Sequence, residues 1–555
     1  MDEFKNSGKN ILIGSAWPYA NGSLHLGHVA ALLPGDVIAR YYRMTGGEVL
    51  LCSGSDCHGT PISVKAHSEN TTPEIISQKY HDEFVNTFRN LNIIYDIYTR
   101  TSTEFHEKEV QKMFIKLYEK NLLYKENVKM AYCVKCDRFL PDRYVLGVCN
   151  KCGYEDCRGD QCDKCGNLVE IEDLGNKRCT ICSQEPQIRN SEHLFFKMSE
   201  FQDRVQNFVD KNKDRWRQNA VSLSNRYLKE NLKDRAITRD LDWGIDIPID
   251  GFKDKKVYVW FEAVLGYLTS SMLLSQEKND ESYWQKFWND DALAYYVHGK
   301  DNIPFHTLIL PSLLMGLDIS GLPTHLISSE YLTIEGQKLS TSRNWAIWAD
   351  DFLTRYSSDS LRYFLIINGP EKRDSDFSWN EFLERNNSEL LGTYGNLVNR
   401  VLTLSIKSFG NKVPEEGALD DLDRELLDEC SRKFELIGNL IEKGDLRDAL
   451  KNVFGLAKST NKYLDRRSPW NDLKNDNYTR AATTLKVCID MIINISSMCY
   501  PFIPETSEKA LSFLNLKPKW NFRLSESGND ISDPEILVFR LDKSIIEEER
   551  ARLGS

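Results

Sequence analysis

The run "NILIGSAW", Asn10–Trp17, leads straight into "PYANGSLHLGH", Pro18–His28, and then into "HVAALLPGDVIARYYRMTG", which ends at Gly46. The first stretch is short, apolar and β-branched, as a buried strand is. The third has the length and apolar spacing of a helix. Between them the middle stretch places two histidines around a glycine. "GEVLLCSGSD", Gly47–Asp56, is a second buried strand, and Pro73 opens an amphipathic helix, "PEIISQKYHDEFVNTFRNLNI". Strands alternating with helices predict βαβ units and a parallel sheet. In such sheets ligands sit beyond the carboxyl ends of the strands, where helices begin and their free N–H groups favour phosphate.

Reading outward, the α/β pattern is interrupted at about residues 125–190 and returns with "KVYVWFEAVLGYL", "ALAYYVHGKDNIPFHTLILPSLLMG" and "HLISSEYL". Beyond about Asp350 the strand signals stop. "WNEFLERNNSELLGTYGNLVNRVLTLSIKSF" and the apolar-periodic segments after it predict a helical bundle.

The interruption holds eight of the 14 cysteines as four C-x-x-C pairs, Cys133/Cys136, Cys149/Cys152, Cys162/Cys165 and Cys179/Cys182. Two thiolates two residues apart grip one tetrahedral metal from a tight turn, and two such turns complete a four-thiolate site. The glycines of "CNKCG" and "CDKCG" suit such turns. Two structural zinc ions are therefore expected, with the order of pairing open. Cys52, Cys57, Cys157, Cys430, Cys488 and Cys499 read as small core residues.

With 555 residues, 28% charged and 41% hydrophobic, the composition is that of a multidomain globular chain. A net charge of −11 argues against nonspecific coating of nucleic acid. "KNKDRWRQNA" with "RYLKENLKDRAITR" is one local basic path, and a solvated helix face accounts for it equally well. No apolar run approaches the roughly 18 residues of a membrane span, and the polar N-terminus is no secretory signal. A cytoplasmic place without membrane contact is the expectation.

His25 and His28, at the strand-to-helix junction, are placed to donate to anionic oxygens, and Gly27 lets an adenine ring approach the backbone. Far downstream "GQKLSTSRN", Gly336–Asn344, follows another strand and sets Lys338 and Arg343 beside three hydroxyls. A loop of this kind closes over a triphosphate and neutralises departing pyrophosphate. Together the two motifs describe carboxylate attack on ATP. Each alone would pass as ordinary core or turn sequence.

"PYANGSLHLGH" resembles the first signature of class I aminoacyl-tRNA synthetases and "KLSTS" the second. The order of "GSDCHG", cysteine knuckles, "VYVWFEAVLGY", "GKDNIPFH" and helical tail resembles methionyl-tRNA synthetases over roughly residues 10–515. The resemblance implies an α/β fold: a Rossmann-like parallel-sheet catalytic domain in halves 1–122 and 236–349, an inserted knuckle domain 123–235, a linking and stem-contact region 350–385, and an all-α anticodon-binding domain 386–555. It implies L-methionine, ATP with Mg²⁺ and methionine tRNA, initiator and elongator, as partners. His25, His28 and Lys338 are the implied catalytic residues. Asn21, Gly27, Gly299, Asp301, Lys338 and Thr341 are implied for ATP, and Tyr19, Asp56, Trp260, Ala263, Tyr267 and His306 for methionine. Nested zinc sets are implied, Cys149, Cys152, Cys162 and Cys165 inside Cys133, Cys136, Cys179 and Cys182. Trp470 of "NKYLDRRSPW" and Lys407 are the implied anticodon readers, Thr403 and Lys407 standing where the family has an Asn and an Arg.

Other departures are Thr341 in place of a second loop lysine, Cys57 in place of a glutamate, and Leu310 in place of an aromatic. The alternatives are a catalytically silent relative that binds tRNA or methionine, and a branched-chain class I synthetase, which would need a longer insertion. The chain ends soon after the bundle without an appended tRNA-binding module, so a monomer is expected.

Overall fold

The fold is that of a computed structural model, which describes residues 5–141, 144–158, 162, 164–165 and 173–554. Its centre is a five-stranded parallel sheet built from Asn10–Ser15, Glu48–Ser55, Ile97–Arg100, Leu293–Gly299 and His325–Ser329. Asn10–Ser15 lies in the middle, between Glu48–Ser55 and Leu293–Gly299, with Ile97–Arg100 and His325–Ser329 at the edges. The strand order therefore reverses between Asn10–Ser15 and Leu293–Gly299, the point at which such sheets open a crevice.

Period-two alternation explains why the strands read as unbroken apolar runs. Ile11 and Ile13 point into one core, shared with helix Leu26–Met44, and Leu12 points into the other, shared with helices Glu104–Glu119 and Val259–Glu277. A sheet covered on both faces has no polar side to show. The "VWFEAVLGYL" segment, read with the α/β units, is thus a helix rather than a strand; only Lys256–Val257 before it pairs.

Between the sheet halves, Leu123–Cys133 and Gln187–Phe196 form a long antiparallel hairpin, from Leu123 opposite Phe196 to Tyr132 opposite Gln187. The knuckles sit at its far end. After the sheet come helices Trp379–Glu384, Asn396–Phe409, Asp421–Glu442, Leu446–Arg467 and Tyr478–Cys499, the first two joined by the π-helical turn Arg385–Gly395. Gly444, at φ 75°, lets the chain turn between two of them, and a Cβ there would stand 2.4 Å from the Ile327 side chain. The 22-residue helix Tyr478–Cys499 has a mean hydropathy window of 1.3, long and apolar enough to cross a membrane by composition; that window is wholly buried inside the protein, and only the first turn of the helix, from Tyr478, reaches the surface.

One expectation is corrected. Strands do not stop at Asp350: Ser375–Phe377 pairs in parallel with Leu332–Ile334, which pairs in turn with Gln337–Lys338. Three residues are too few for a periodic signal, and the pairing depends wholly on tertiary contact.

A buried ion pair ties sheet to bundle. Arg362 Nη2 donates to Asp36 at 2.7 Å, Arg40 Nε donates to the same oxygen at 2.8 Å, and Arg362 also donates to the Phe502 and Pro501 carbonyls. Burial pushes the Asp36 carboxyl up, but the two guanidinium groups outweigh it and hold it below the usual range.

Candidate active site

His25 is the N-cap of helix Leu26–Met44. Its Nδ1 accepts the His28 N–H and the His28 Nδ1 accepts the His25 N–H, each at 3.3 Å, a capping box made of two imidazoles. Because each Nδ1 accepts, the ring proton of a neutral imidazole must sit on Nε2, which leaves a donor facing away from the helix. The rings stack at 3.7 Å and 14°. Burial, and for His25 also the neighbouring His28, pushes both pKa values down, that of His28 to about 4. At neutral pH the pair therefore acts as two neutral N–H donors beside a helix N-terminus.

The second motif reaches the same place. Glu335 and Gly336, at φ 48° and 73°, turn Leu332–Ile334 back into Gln337–Lys338. Positive φ at both residues is what a tight hairpin turn demands. Ser340 and Trp345 exchange backbone hydrogen bonds at 3.0 and 2.9 Å, and Trp345 Nε1 donates to the Ile334 carbonyl at 3.0 Å. The chain then runs beside the first motif: Leu26 N–H donates to Ile347 O and Ala349 N–H to Leu24 O. A Cβ on Gly27 would lie 3.0 Å from His25 Nδ1 and 3.5 Å from the Leu339 side chain. Lys338 is exposed on this hairpin.

These elements wall one cleft of about 1490 Å³ beyond the carboxyl ends of the sheet's central strands. Every residue expected to bind ATP or methionine lines it: Asn21, Gly27, Gly299, Asp301, Lys338 and Thr341 on one part, and Tyr19, Asp56, Trp260, Ala263, Tyr267 and His306 on the other. His25 and His28 line the same cleft.

The second part is shaped as an aromatic cup. His306 Nδ1 donates to the Asn302 carbonyl at 2.8 Å, so its Nε2 accepts from Tyr267 Oη at 2.9 Å. Burial pushes its pKa down to about 4 and keeps it neutral. Trp260, which by residue type alone reads as core, is 41% exposed at the rim and donates through Nε1 to Tyr19 Oη at 3.0 Å. Phe305 meets Trp260 edge-on at 4.6 Å and lines the cleft, an aromatic wall that the sequence reading did not single out. Leu310, which stands in place of an aromatic, is fully buried in the core.

Asp56, in the wall of the cleft, is 3% exposed, and among the described residues its carboxylate accepts only a long bond, 3.5 Å, from the His58 N–H. Burial and then the nearby Glu262 push its pKa well above the carboxylate range. A buried, under-satisfied carboxylate opening into a cleft suits an ammonium group. Glu262, fully buried, accepts from His58 Nδ1 at 2.9 Å with His106 at 3.6 Å; burial raises it, but the two imidazoles hold it low. His58 and Glu262 were also not singled out, since a buried pair has no spacing signature. Asp301 accepts from Tyr331 Oη.

The cysteines fall into nested groups. The sulfurs of Cys133, Cys136, Cys179 and Cys182 lie within 4.8 Å of one another, as do those of Cys149, Cys152, Cys162 and Cys165, so sequential pairing is excluded. Sulfur separations of 3.3 to 4.0 Å bracket the roughly 3.8 Å of a tetrahedral zinc tetrathiolate. The donor set fits zinc. The residues after three of the pairs, Asp137, Gly153 and Ser183, all have positive φ, at 51°, 69° and 61°. Gly166, the fourth, lies outside the described residues. Cys157, expected as a plain core residue, is buried within this cysteine cluster, beside Cys162 and Cys149.

On the bundle, Thr403 and Lys407 are exposed on helix Asn396–Phe409, and Trp470 is half-buried at the start of helix Pro469–Lys474. Arg400, one turn before Thr403, lies 5.8 Å over the Trp470 ring, which connects the two segments. Arg217 of the basic path is not free: it donates to Ser329 Oγ and Gly444 O.

A family description reading tRNA synthetases class I (M) matches residues 11–402, and one reading anticodon binding domain of methionyl tRNA ligase matches 413–552. Methionine--tRNA ligase 1 of Alkaliphilus oremlandii is 50% identical over 546 residues, 98% of this chain and 100% of the relative. Methionine--tRNA ligase of Streptococcus pneumoniae is 48% identical over 543 residues, 97% of this chain and 98% of that one. The solved structure of Mycobacterium tuberculosis methionyl-tRNA synthetase in complex with methionyl-adenylate superposes with a TM-score of 0.81 at 24% identity, covering 96% of this chain and 100% of that one. Fold and cleft are thus those of class I aminoacyl-tRNA synthetases. Within that class the chain belongs to the methionine–tRNA ligase family.

Proposed function

We propose that this cleft activates L-methionine with ATP and then charges methionine tRNA. A carboxylate oxygen of methionine attacks the α-phosphorus, the bond to the bridging oxygen breaks, and pyrophosphate leaves with methionyl-adenylate formed. The terminal ribose hydroxyl of the tRNA then attacks the adenylate carbonyl and AMP departs. The observation that carries this reading is the convergence of the His25–His28 pair and the Lys338 hairpin on one cleft at the sheet's switch point.

Asp56 holds the α-ammonium, and Tyr19, Trp260, Ala263, Tyr267 and His306 enclose the thioether, which favours aromatic edges. The Nε2–H groups of His25 and His28 donate to the α-phosphate as charge develops, and Lys338, with Thr341 beside it, takes up the leaving pyrophosphate. Gly27 admits the adenine, Asn21 borders the phosphates, and Gly299 and Asp301 reach the ribose. The carboxylate is already a nucleophile, so positioning and charge stabilisation supply the rate. Mg²⁺ arriving with ATP supplies further neutralisation of phosphate charge.

Zinc in the nested thiolate groups shapes the insert that guides the tRNA acceptor end. Trp470 stacks on an anticodon base with Lys407 nearby. The division proposed is 1–122 and 236–349 for catalysis, 123–235 for the insert, 350–385 for the link and 386–555 for the anticodon, in a monomer working in the cytoplasm. Amino-acid-dependent ATP–pyrophosphate exchange tests the substrate: methionine drives it, and exchange with isoleucine, valine, leucine or cysteine but not methionine overturns it.

A further inference from the structure

The segment from Glu335 to Asn344 carries Lys338; one of its ends is held by helix Ile545–Ala551 and the other by the turn that follows that helix. Arg550, on helix Ile545–Ala551, donates through Nε to Glu335 Oε2 at 2.9 Å, with Nη2 at 2.8 Å from the same oxygen. The other Glu335 oxygen accepts the Trp379 N–H at 2.8 Å, and the Glu335 N–H donates to Phe377 O at 2.9 Å. At the far end Asn344, at φ 49°, closes the loop's last turn, and its carbonyl accepts the Gly554 N–H at 3.0 Å. The tail is itself anchored. Glu549, 5% exposed, accepts from Arg355 Nε at 2.6 Å and from Tyr356 Oη at 2.9 Å, and Arg552 reaches Asp351 at 2.8 Å.

We propose that Arg550 is a positioning residue for adenylate formation, acting through Glu335 to hold the base of the loop that presents Lys338 to ATP. A loop pinned at both ends has fewer arrangements to search, and a larger share of them set the ammonium over the phosphates. Trp379 takes one oxygen of the Glu335 carboxylate and Arg550 takes the other, so the side chain is held from two sides. Neither Glu335 nor Arg550 lines the cleft, so the pin is expected to act on the chemical step and not on methionine binding. This inference rests on the reading of Lys338 as the pyrophosphate-stabilising group.

The test is the single-turnover rate of methionyl-adenylate formation in the full chain at saturating methionine and ATP. Arg550→Ala is expected to slow it about threefold to tenfold, the effect of losing one charge-assisted contact, with the methionine KM unchanged. Arg550→Lys, which keeps the charge but not the fork, is expected to fall between the two and guards against a folding defect. In a Lys338→Ala background Arg550→Ala is expected to add nothing. A wild-type rate for Arg550→Ala, or an undiminished slowing by it in the Lys338→Ala background, overturns the proposal. A wild-type rate for Lys338→Ala alone overturns the reading of Lys338 first and this inference with it.

Discussion

The imidazole rings of His25 and His28 lie nearly parallel, 3.7 Å apart, and each caps the other's backbone N–H. Nδ1 of each ring closes the helix, and Nε2 is left free of that duty, available for the phosphate in the reaction proposed above.

The two duties can be separated at His25. Asparagine caps helices well but cannot reach with an Nε2–H. His25→Asn is expected to change stability by no more than about 1 kcal/mol while slowing pyrophosphate exchange roughly 100- to 1,000-fold, the range for losing one donor to a developing oxyanion. Denaturant unfolding and the exchange assay on the same preparation check both halves.

As the proposed partner of the α-ammonium, Asp56 would trade stability for binding. Its charged form is disfavoured by burial and by Glu262, so Asp56→Asn is expected to leave the thermal midpoint unchanged or higher. The same change removes the ammonium's counter-charge, and kcat/KM for methionine is expected to fall roughly 30- to 1,000-fold. Loss of stability with intact methionine use would contradict it.

His306 gives a pH signature. Its folded pKa of about 4 lies below the ordinary 6.5, so the unfolded chain binds more protons between those values. Its contribution is complete above pH 6.5 and is lost as pH falls toward 4. At pH 5 this amounts to about 2 kcal/mol. His306→Gln is expected to show a smaller drop in urea midpoint between pH 7 and pH 5 than the wild type does, read by parallel titrations.

The nested cysteine groups make a counting prediction. Replacing Cys133 and Cys182 together by serine removes two ligands of one group and none of the other. Metal analysis is expected to fall from two zinc ions per chain to one. Sequential pairing would have each replaced residue in a different site, and both ions would be lost.

Much of this was written locally. The apolar run Asn10–Trp17, the H-x-G-H junction, the polar loop of Lys338 and four C-x-x-C pairs are short-range patterns, because strand pleat, helix cap, turn and knuckle each depend on residues a few positions apart. The strand–helix alternation that follows from them determines a parallel sheet, and with it the side on which a ligand sits.

What only the tertiary structure decided is what distant segments do to one another. The nesting of the cysteine groups depends on how the long hairpin folds back, which spacing leaves open. Phe305 and Trp260 look like any core aromatics until the cleft exposes one edge of each. His58 with Glu262, the strand Ser375–Phe377, and the grip of Arg550 on Glu335 join residues whose partners are far away in the chain. Such contacts leave no periodic trace, since chain connectivity does not constrain them and only burial and complementary charge select them.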